Sequence, residues 1–187
     1  MKLNIGCGHR KIDGFVNVDK FAACAPDLQL DIEITPWPWP TSSVEEIRFI
    51  HALEHMGQDV AVFLAIMQEI YRVLVPGGRL VVHVPHPRND DFLGDPTHVR
   101  AITAQQMRLF DRRLNDEWKA SGRSAATPLA HYLGVDFEMV EMRQLLEPRY
   151  AEALQAGRMT YEEIGRAAEE RNNVVAEIHM TLVARKG

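Results

Sequence analysis

An α/β domain on a mostly parallel sheet is the fold this sequence predicts, and three observations carry the prediction. Near its start, two short apolar runs end in strand-stopping residues, Gly6 and Gly8 in the first and Asp19 in the second. Between Glu46 and Val84 a strand-like run, a run with helical spacing, a Pro-Gly-Gly turn and another strand-like run follow one another, which is a βαβ unit. The last of these runs, residues 79–84, is nearly continuously apolar, as a parallel strand covered on both faces should be.

Taken in order, residues 2–7, 15–19 and 28–32 are the first three strands, the third carrying Asp31 at its end. Pro36, Pro38 and Pro40, set around Trp37 and Trp39, fix an extended loop with too few backbone donors for a sheet interior. The two tryptophans suit either stacking on a ligand ring or covering the sheet edge. Residues 46–51 form the fourth strand, and Val60, Phe63, Leu64, Met67, Ile70, Tyr71 and Leu74 then recur at helical spacing behind a capping Asp59. Pro76-Gly77-Gly78 ends that helix ahead of the strand at 79–84. Thr103 with Gln106, and Thr160 with Glu163, make two capping boxes stapled by Ile102 with Met107 and by Met159 with Ile164. They place helices at about 104–118 and about 161–171. Residues 135–146 hold a further strand, and at 176–183 Glu177, His179 and Thr181 alternate with Ile178, Met180 and Leu182, a strand with two unlike faces. There is no repeat, low-complexity tract or linker, so residues 1–187 are expected to be one domain.

A chain of 187 residues is long enough for one ordinary core, burying about 70% of its unfolded surface. Its 46% hydrophobic and 25% charged residues exclude disordered, collagen-like and coiled-coil chains. A net charge of −5 gives no global reason to bind nucleic acid. Cys7 and Cys24 have neither CxxC nor zinc-finger spacing, which excludes a disulfide scaffold. Gly6 arrives too early for a signal-peptide apolar region, and no apolar stretch is long enough to span a bilayer, so a soluble cytoplasmic protein is expected.

The sharpest chemical signal is Leu3-Asn4-Ile5-Gly6-Cys7-Gly8 followed by Val16-Asn17-Val18-Asp19. Glycines at the carboxyl end of a first strand let backbone approach a ligand, and an acid ending the second can accept two ribose hydroxyls. A nucleoside-containing cofactor is implied. A dinucleotide fingerprint needs a third glycine and an acid about 20 residues on, whereas Arg10 and Lys11 follow Gly8 and Asp19 comes early, which disfavours NAD or FAD. No GK[ST] follows the glycines, so a phosphate-binding P-loop is excluded.

These segments resemble the class I, Rossmann-like S-adenosylmethionine-dependent methyltransferases, particularly small ones that open directly on the first strand. Leu3 to Gly8 is similar to the family's first motif, Asp19 to its ribose acid, Asp31-Ile32 to its adenine-contacting pair, and Pro38 to Ile47 to its proline-rich lead into strand four. Ile50-His51-Ala52-Leu53-Glu54-His55 resembles the segment after that strand, and Val73 to Leu80 the turn into strand five. The resemblance implies a seven-stranded sheet with helices on both faces and an antiparallel last strand at 176–183. It implies S-adenosyl-L-methionine as cofactor, held by Asn4, Gly6, Cys7, Gly8, Asp19, Lys20, Asp31, Ile32, His51 and Ala52. One departure is plain. Too few residues separate Gly8 from Phe15 for the usual first crossover helix, so a short turn must replace it and leave the cofactor's amino-acid end less enclosed. A second subunit could complete such an open site, which keeps a homodimer in view.

Methyl transfer needs alignment and sometimes a base, but no metal. His55, His86 and His98 are the candidate catalytic histidines toward a small-molecule acceptor, His98 lying in an Asp-Pro-x-His loop of a kind that similar small methyltransferases carry. Arg100 suits an acceptor carboxylate or phosphate, or a plain surface position. Neither cysteine shows nucleophile activation, and no Asn/Asp-Pro-Pro-Tyr follows strand four, which argues against the corresponding DNA-methylating classes. Two rival readings remain: a cofactor-binding partner protein without catalysis, and a metal hydrolase using the HxxEH of His51 to His55, with His86, Asp90, Asp91, Asp95 and His98 as spare ligands. The peptidase motif sits on a helix, whereas here it follows an apolar strand and precedes the Asp59 cap.

Overall fold

Leu3, Ile5, Val18, Ile47, Phe49, Leu80 and Val82, drawn from the apolar runs, are all at most 1% exposed and belong to one continuous core. The computed structural model describes residues 1–122 and 127–186. These runs form β1 (Lys2–Ile5), β2 (Val16–Asp19), β3 (Leu28–Gln29), β4 (Val44–Ile50) and β5 (Leu74–Pro85). β6 (Phe137–Leu146) and β7 (Val175–Ala184) complete a seven-stranded sheet of order β3-β2-β1-β4-β5-β7-β6. β1 to β5 run parallel, and β7 lies antiparallel between β5 and β6, as expected of the last strand. No helix among the described residues is long and apolar enough to cross a membrane.

The helix after strand four, α1 (Val60–Val73), begins where Asp59 accepts a hydrogen bond from the Ala61 N–H and buries Phe63, Ile66, Met67, Ile70 and Val73. Pro76-Gly77-Gly78 does not precede β5 but lies within it: Val44 pairs with Leu74 and Glu46 with Arg79, so the intervening residues bulge out. The expected helix at 104–118 is two helices, α3 (Ala104–Arg108) and α4 (Arg112–Ala120), after a four-residue α2 (Asp90–Leu93). The break is made by contacts with distant chain. The Phe110 carbonyl accepts from Phe137 N–H on β6, and the Asp111 carboxylate caps α4 at Leu114 N–H while also pairing with Arg185. Both capping boxes form as expected, at Thr103 with Gln106 and at Thr160 with Glu163. α5 (Leu129–Leu133) precedes β6, and α6 (Pro148–Gln155) and α7 (Tyr161–Glu170) join β6 to β7 around a small second core of Tyr150, Ile164, Ala167 and Val174.

Trp37 and Trp39 are buried edge to face, 5.7 Å apart. α1 holds their loop: Glu69 accepts the Trp37 backbone N–H at 2.6 Å, and Arg72 donates to the carbonyls of Trp37 and Trp39 at 3.1 and 3.0 Å. Both tryptophans are therefore core residues, and neither stands on the cleft that the candidate cofactor residues line.

Candidate cofactor and acceptor site

The link between β1 and β2 contains no helix, and side-chain hydrogen bonds hold it instead. Asn4, 1% exposed, donates to the Arg10 carbonyl and to Asn17 Oδ1. The same Asn17 oxygen accepts the Ile12 N–H, and Asn17 donates through its backbone and side chain to Asp27 Oδ2 at 2.8 Å. Those two bonds from Asn17 hold the Asp27 carboxyl below its ordinary range.

Gly6 leaves β1 with φ of +67°, and a Cβ built on it would lie 2.5 Å from Ala52 Cβ. Only glycine lets the first loop approach the segment after β4 this closely. Asp19 ends β2 beside it, with Oδ2 accepting the Gly8 N–H at 2.8 Å and Oδ1 the Phe21 N–H at 2.9 Å. Each carboxylate oxygen keeps a further lone pair. The Cys7 thiol is buried and raised in pKa by that burial and by Asp19, the opposite of an activated nucleophile.

At the carboxyl ends of these strands lies a cleft of about 360 Å³. Gly6, Asp19, Lys20, Asp31, Ile32, His51, Ala52 and His55 line it. Asn4 on β1, and Cys7 and Gly8 in the turn after it, lie outside its wall. Sequence reasoning missed Phe21, Leu30, Glu33, Met56 and Thr97 on the same wall. Phe21 is exposed at the edge with Lys20 Nζ 5.2 Å from its ring centre, a contact that no local motif announces.

His51 has φ of +53°, uncommon for a residue other than glycine, and two carboxylates face its ring. Its Nδ1 lies 3.8 Å from Glu54 Oε1 and its Nε2 3.5 Å from Glu177 Oε1 on β7. Glu177 also bonds His179 Nε2 at 2.6 Å, and His179 stacks on His83 with planes 2° apart at 3.5 Å. Burial, then the neighbouring His179, pulls His83 down to about 4. Glu177 was not singled out in the sequence; the signal was the polar face of β7, whose register sets His179 opposite His83.

Of the candidate catalytic histidines, His55 stands on the cleft wall, its pKa lowered by burial and then by His98. His98 lies outside the wall with its ring centre 4.5 Å from that of His55. His86 follows β5 outside the cleft, accepts from the Arg88 N–H, and is lowered in pKa by burial and then by Arg88. Arg100 is neither free nor ligand-facing: it donates to the Gly57 carbonyl and lies over the Phe63 ring. The HxxEH segment begins just after β4 ends at Ile50 and closes on a 3₁₀ turn at Leu53–His55, not an α-helix, so His51 and His55 do not share an α-helical face.

No protein-family model matches the sequence, and no curated protein does either. Solved structures do. A SAM-dependent methyltransferase from Archaeoglobus fulgidus is 15% identical with a TM-score of 0.63, the match covering 98% of this chain and 85% of that one. A SAM-dependent methyltransferase from Methanosarcina mazei is 14% identical with a TM-score of 0.57 over 100% and 92% of the two chains. The [4+2]-cyclase SpnF is 18% identical with a TM-score of 0.56 over 100% of this chain and 75% of its own. With its strand order, its antiparallel β7 and its cleft beyond the parallel strands, the chain has the fold of the class I, Rossmann-like S-adenosylmethionine-dependent methyltransferases.

Proposed function

We propose that the protein is an S-adenosylmethionine-dependent methyltransferase acting on an oxygen or nitrogen of a small molecule, such as a sugar or similar metabolite. One observation carries this: the glycine turn, the strand-two acid and the Asp31-Ile32 and His51-Ala52 pairs meet in a single cleft. Its volume falls in the range of small-ligand sites, at the low end, as expected where a turn replaces the first helix. The residues fit the cofactor. Asp19 retains lone pairs for two ribose hydroxyls, Gly6 opens the backbone beside Ala52, and Ile5, Val18, Leu30 and Ile32 offer an apolar wall to a purine.

When bound, the cofactor supplies an electrophilic methyl group for in-line displacement. The chain's task is then alignment and proton removal. We assign proton removal to His51, which lines the cleft and whose Nε2 lies 3.5 Å from Glu177 Oε1, the carboxylate that would orient its ring and leave Nδ1 to take the proton. His55 and His98 would shape the acceptor's approach next to it, with His86 beyond the end of β5. Two free cysteines suit a reducing compartment such as the cytoplasm. A binding-only role as a partner protein draws support from the helix-free first crossover.

Calorimetric titration with S-adenosylmethionine, S-adenosylhomocysteine and NAD tests the cofactor. The expected result is micromolar binding of the first two, about −8 kcal/mol, and none of NAD. Folded protein that binds neither sulfur ligand would overturn the proposal; binding without methyl transfer to any of a panel of hydroxyl and amine acceptors would favour the partner role.

A further inference from the structure

We propose that Glu54, His55 and His98 form a binding site for one divalent transition-metal ion of the zinc class. Each offers one ligand atom, and the three atoms lie within 4.8 Å of one another. Zinc bonds of about 2.0–2.2 Å hold tetrahedral ligands roughly 3.3 Å apart, so modest side-chain rotation closes the set.

Glu54 is the independent observation. Its side chain is 1% exposed and neither carboxylate oxygen has a hydrogen-bond partner among the described residues. Burial raises its carboxyl pKa to about 7, against the weaker opposing pull of the nearby N–H groups of Glu54 itself and of Ala52, which complete no bond. Its nearest basic contact is His51 Nδ1 at 3.8 Å. A buried carboxyl without a donor, or without an acceptor for its proton if neutral, is costly, and buried charges are generally paired or bound to metal. A cation between Glu54 and the two imidazoles would satisfy it.

The surrounding hydrogen bonds prepare both histidines as ligands. His98 Nδ1–H donates to the Phe92 carbonyl at 2.9 Å. The Thr97 hydroxyl donates to Asp95 Oδ1 at 2.6 Å, so its oxygen accepts from His55 Nδ1–H at 2.9 Å. With Nδ1 protonated in each ring, Nε2 carries the lone pair a metal requires, and the partner that fixes the tautomer is an oxygen, as around metal-bound histidines generally. The backbone also brings the two segments together, since the N–H groups of Val99 and Arg100 both donate to the Glu54 carbonyl. Two imidazoles and one carboxylate suit zinc or ferrous iron rather than magnesium, and three protein ligands leave a coordination position open. His55 and Thr97 also line the cleft, so the ion would adjoin it, but the site stands or falls independently of methyl transfer.

The test is titration of Zn²⁺ into chelator-stripped, untagged protein, with Mg²⁺ as control and the absorption spectrum of Co²⁺-loaded protein as a readout of ligand geometry. The expected result is one equivalent of Zn²⁺ and a tetrahedral or five-coordinate Co²⁺ spectrum, with affinity weakened at least about tenfold in both H98A and E54Q. H131A, which alters an exposed histidine paired with Asp116, should bind like the wild type. Metal-free melting curves identify a variant that does not fold, and the other then decides. Absence of stoichiometric Zn²⁺ binding, equal binding of Mg²⁺, or binding that survives in a folded H98A or E54Q would overturn the assignment.

Discussion

Asp19 does two jobs that substitution by asparagine should separate. Its oxygens accept backbone N–H groups from Gly8 at 2.8 Å and Phe21 at 2.9 Å, and the residue is 8% exposed. An amide has only one oxygen, so in Asp19→Asn its NH₂ must face one of those N–H donors and a charge-assisted bond is lost. Such a bond contributes about 1.5–3 kcal/mol, and folding stability should fall by that order in urea unfolding. The remaining lone pairs are those assigned to the ribose. Their weakening should cost about 1–3 kcal/mol of cofactor affinity, roughly 5- to 150-fold in Kd, read by titrating S-adenosylhomocysteine into protein kept well below its unfolding midpoint. A variant that loses stability but keeps its Kd would confine Asp19 to bracing the turn and refute the ribose assignment.

Gly6→Ala should destabilise on two counts, the left-handed backbone costing about 1–2 kcal/mol and the 2.5 Å approach to Ala52 Cβ adding an overpacking penalty. Adding Ala52→Gly should restore only the second part; unfolding midpoints for the single and double variants check this, and a Gly6→Ala protein as stable as wild type would sink it. His83, drawn down to about 4 from an ordinary 6.5, binds its proton less readily folded than unfolded. Stability should therefore be held above pH 6.5 and fall as pH drops from there through about 4, with His83→Gln flattening that acid slope; identical slopes for wild type and variant would contradict the sign.

What was legible in the sequence was what local chemistry specifies. Asp59 and the two capping boxes set helix starts within a few residues of chain, and the glycines with Asp19 marked the cleft because their roles depend on backbone shape. What depended on distant chain was not legible. The helix at 104–118 breaks because Phe137 and Arg185 reach back to Phe110 and Asp111, and Pro76-Gly77-Gly78 becomes a bulge because β4 pairs on both sides of it. β3 is limited to Leu28–Gln29, shorter than its apolar run. Glu177 joins the site through pairing of β7 with β5, and Glu54, read as part of HxxEH, draws its importance from burial that no spacing reveals.

The helix-free link between β1 and β2 has a thermodynamic consequence for ligand binding. A crossover helix holds its loop by an apolar stripe that can shift and repack, whereas the Asn4, Asn17 and Asp27 amides and carboxylate hold this one by directional bonds with little slack. The chain that meets the ligand is thus already fixed in the free protein, and its ordering entropy is lost during folding rather than on association. Binding at this half of the cleft should resemble insertion into a rigid frame, with affinity governed by how well the ligand matches a shape that does not adapt.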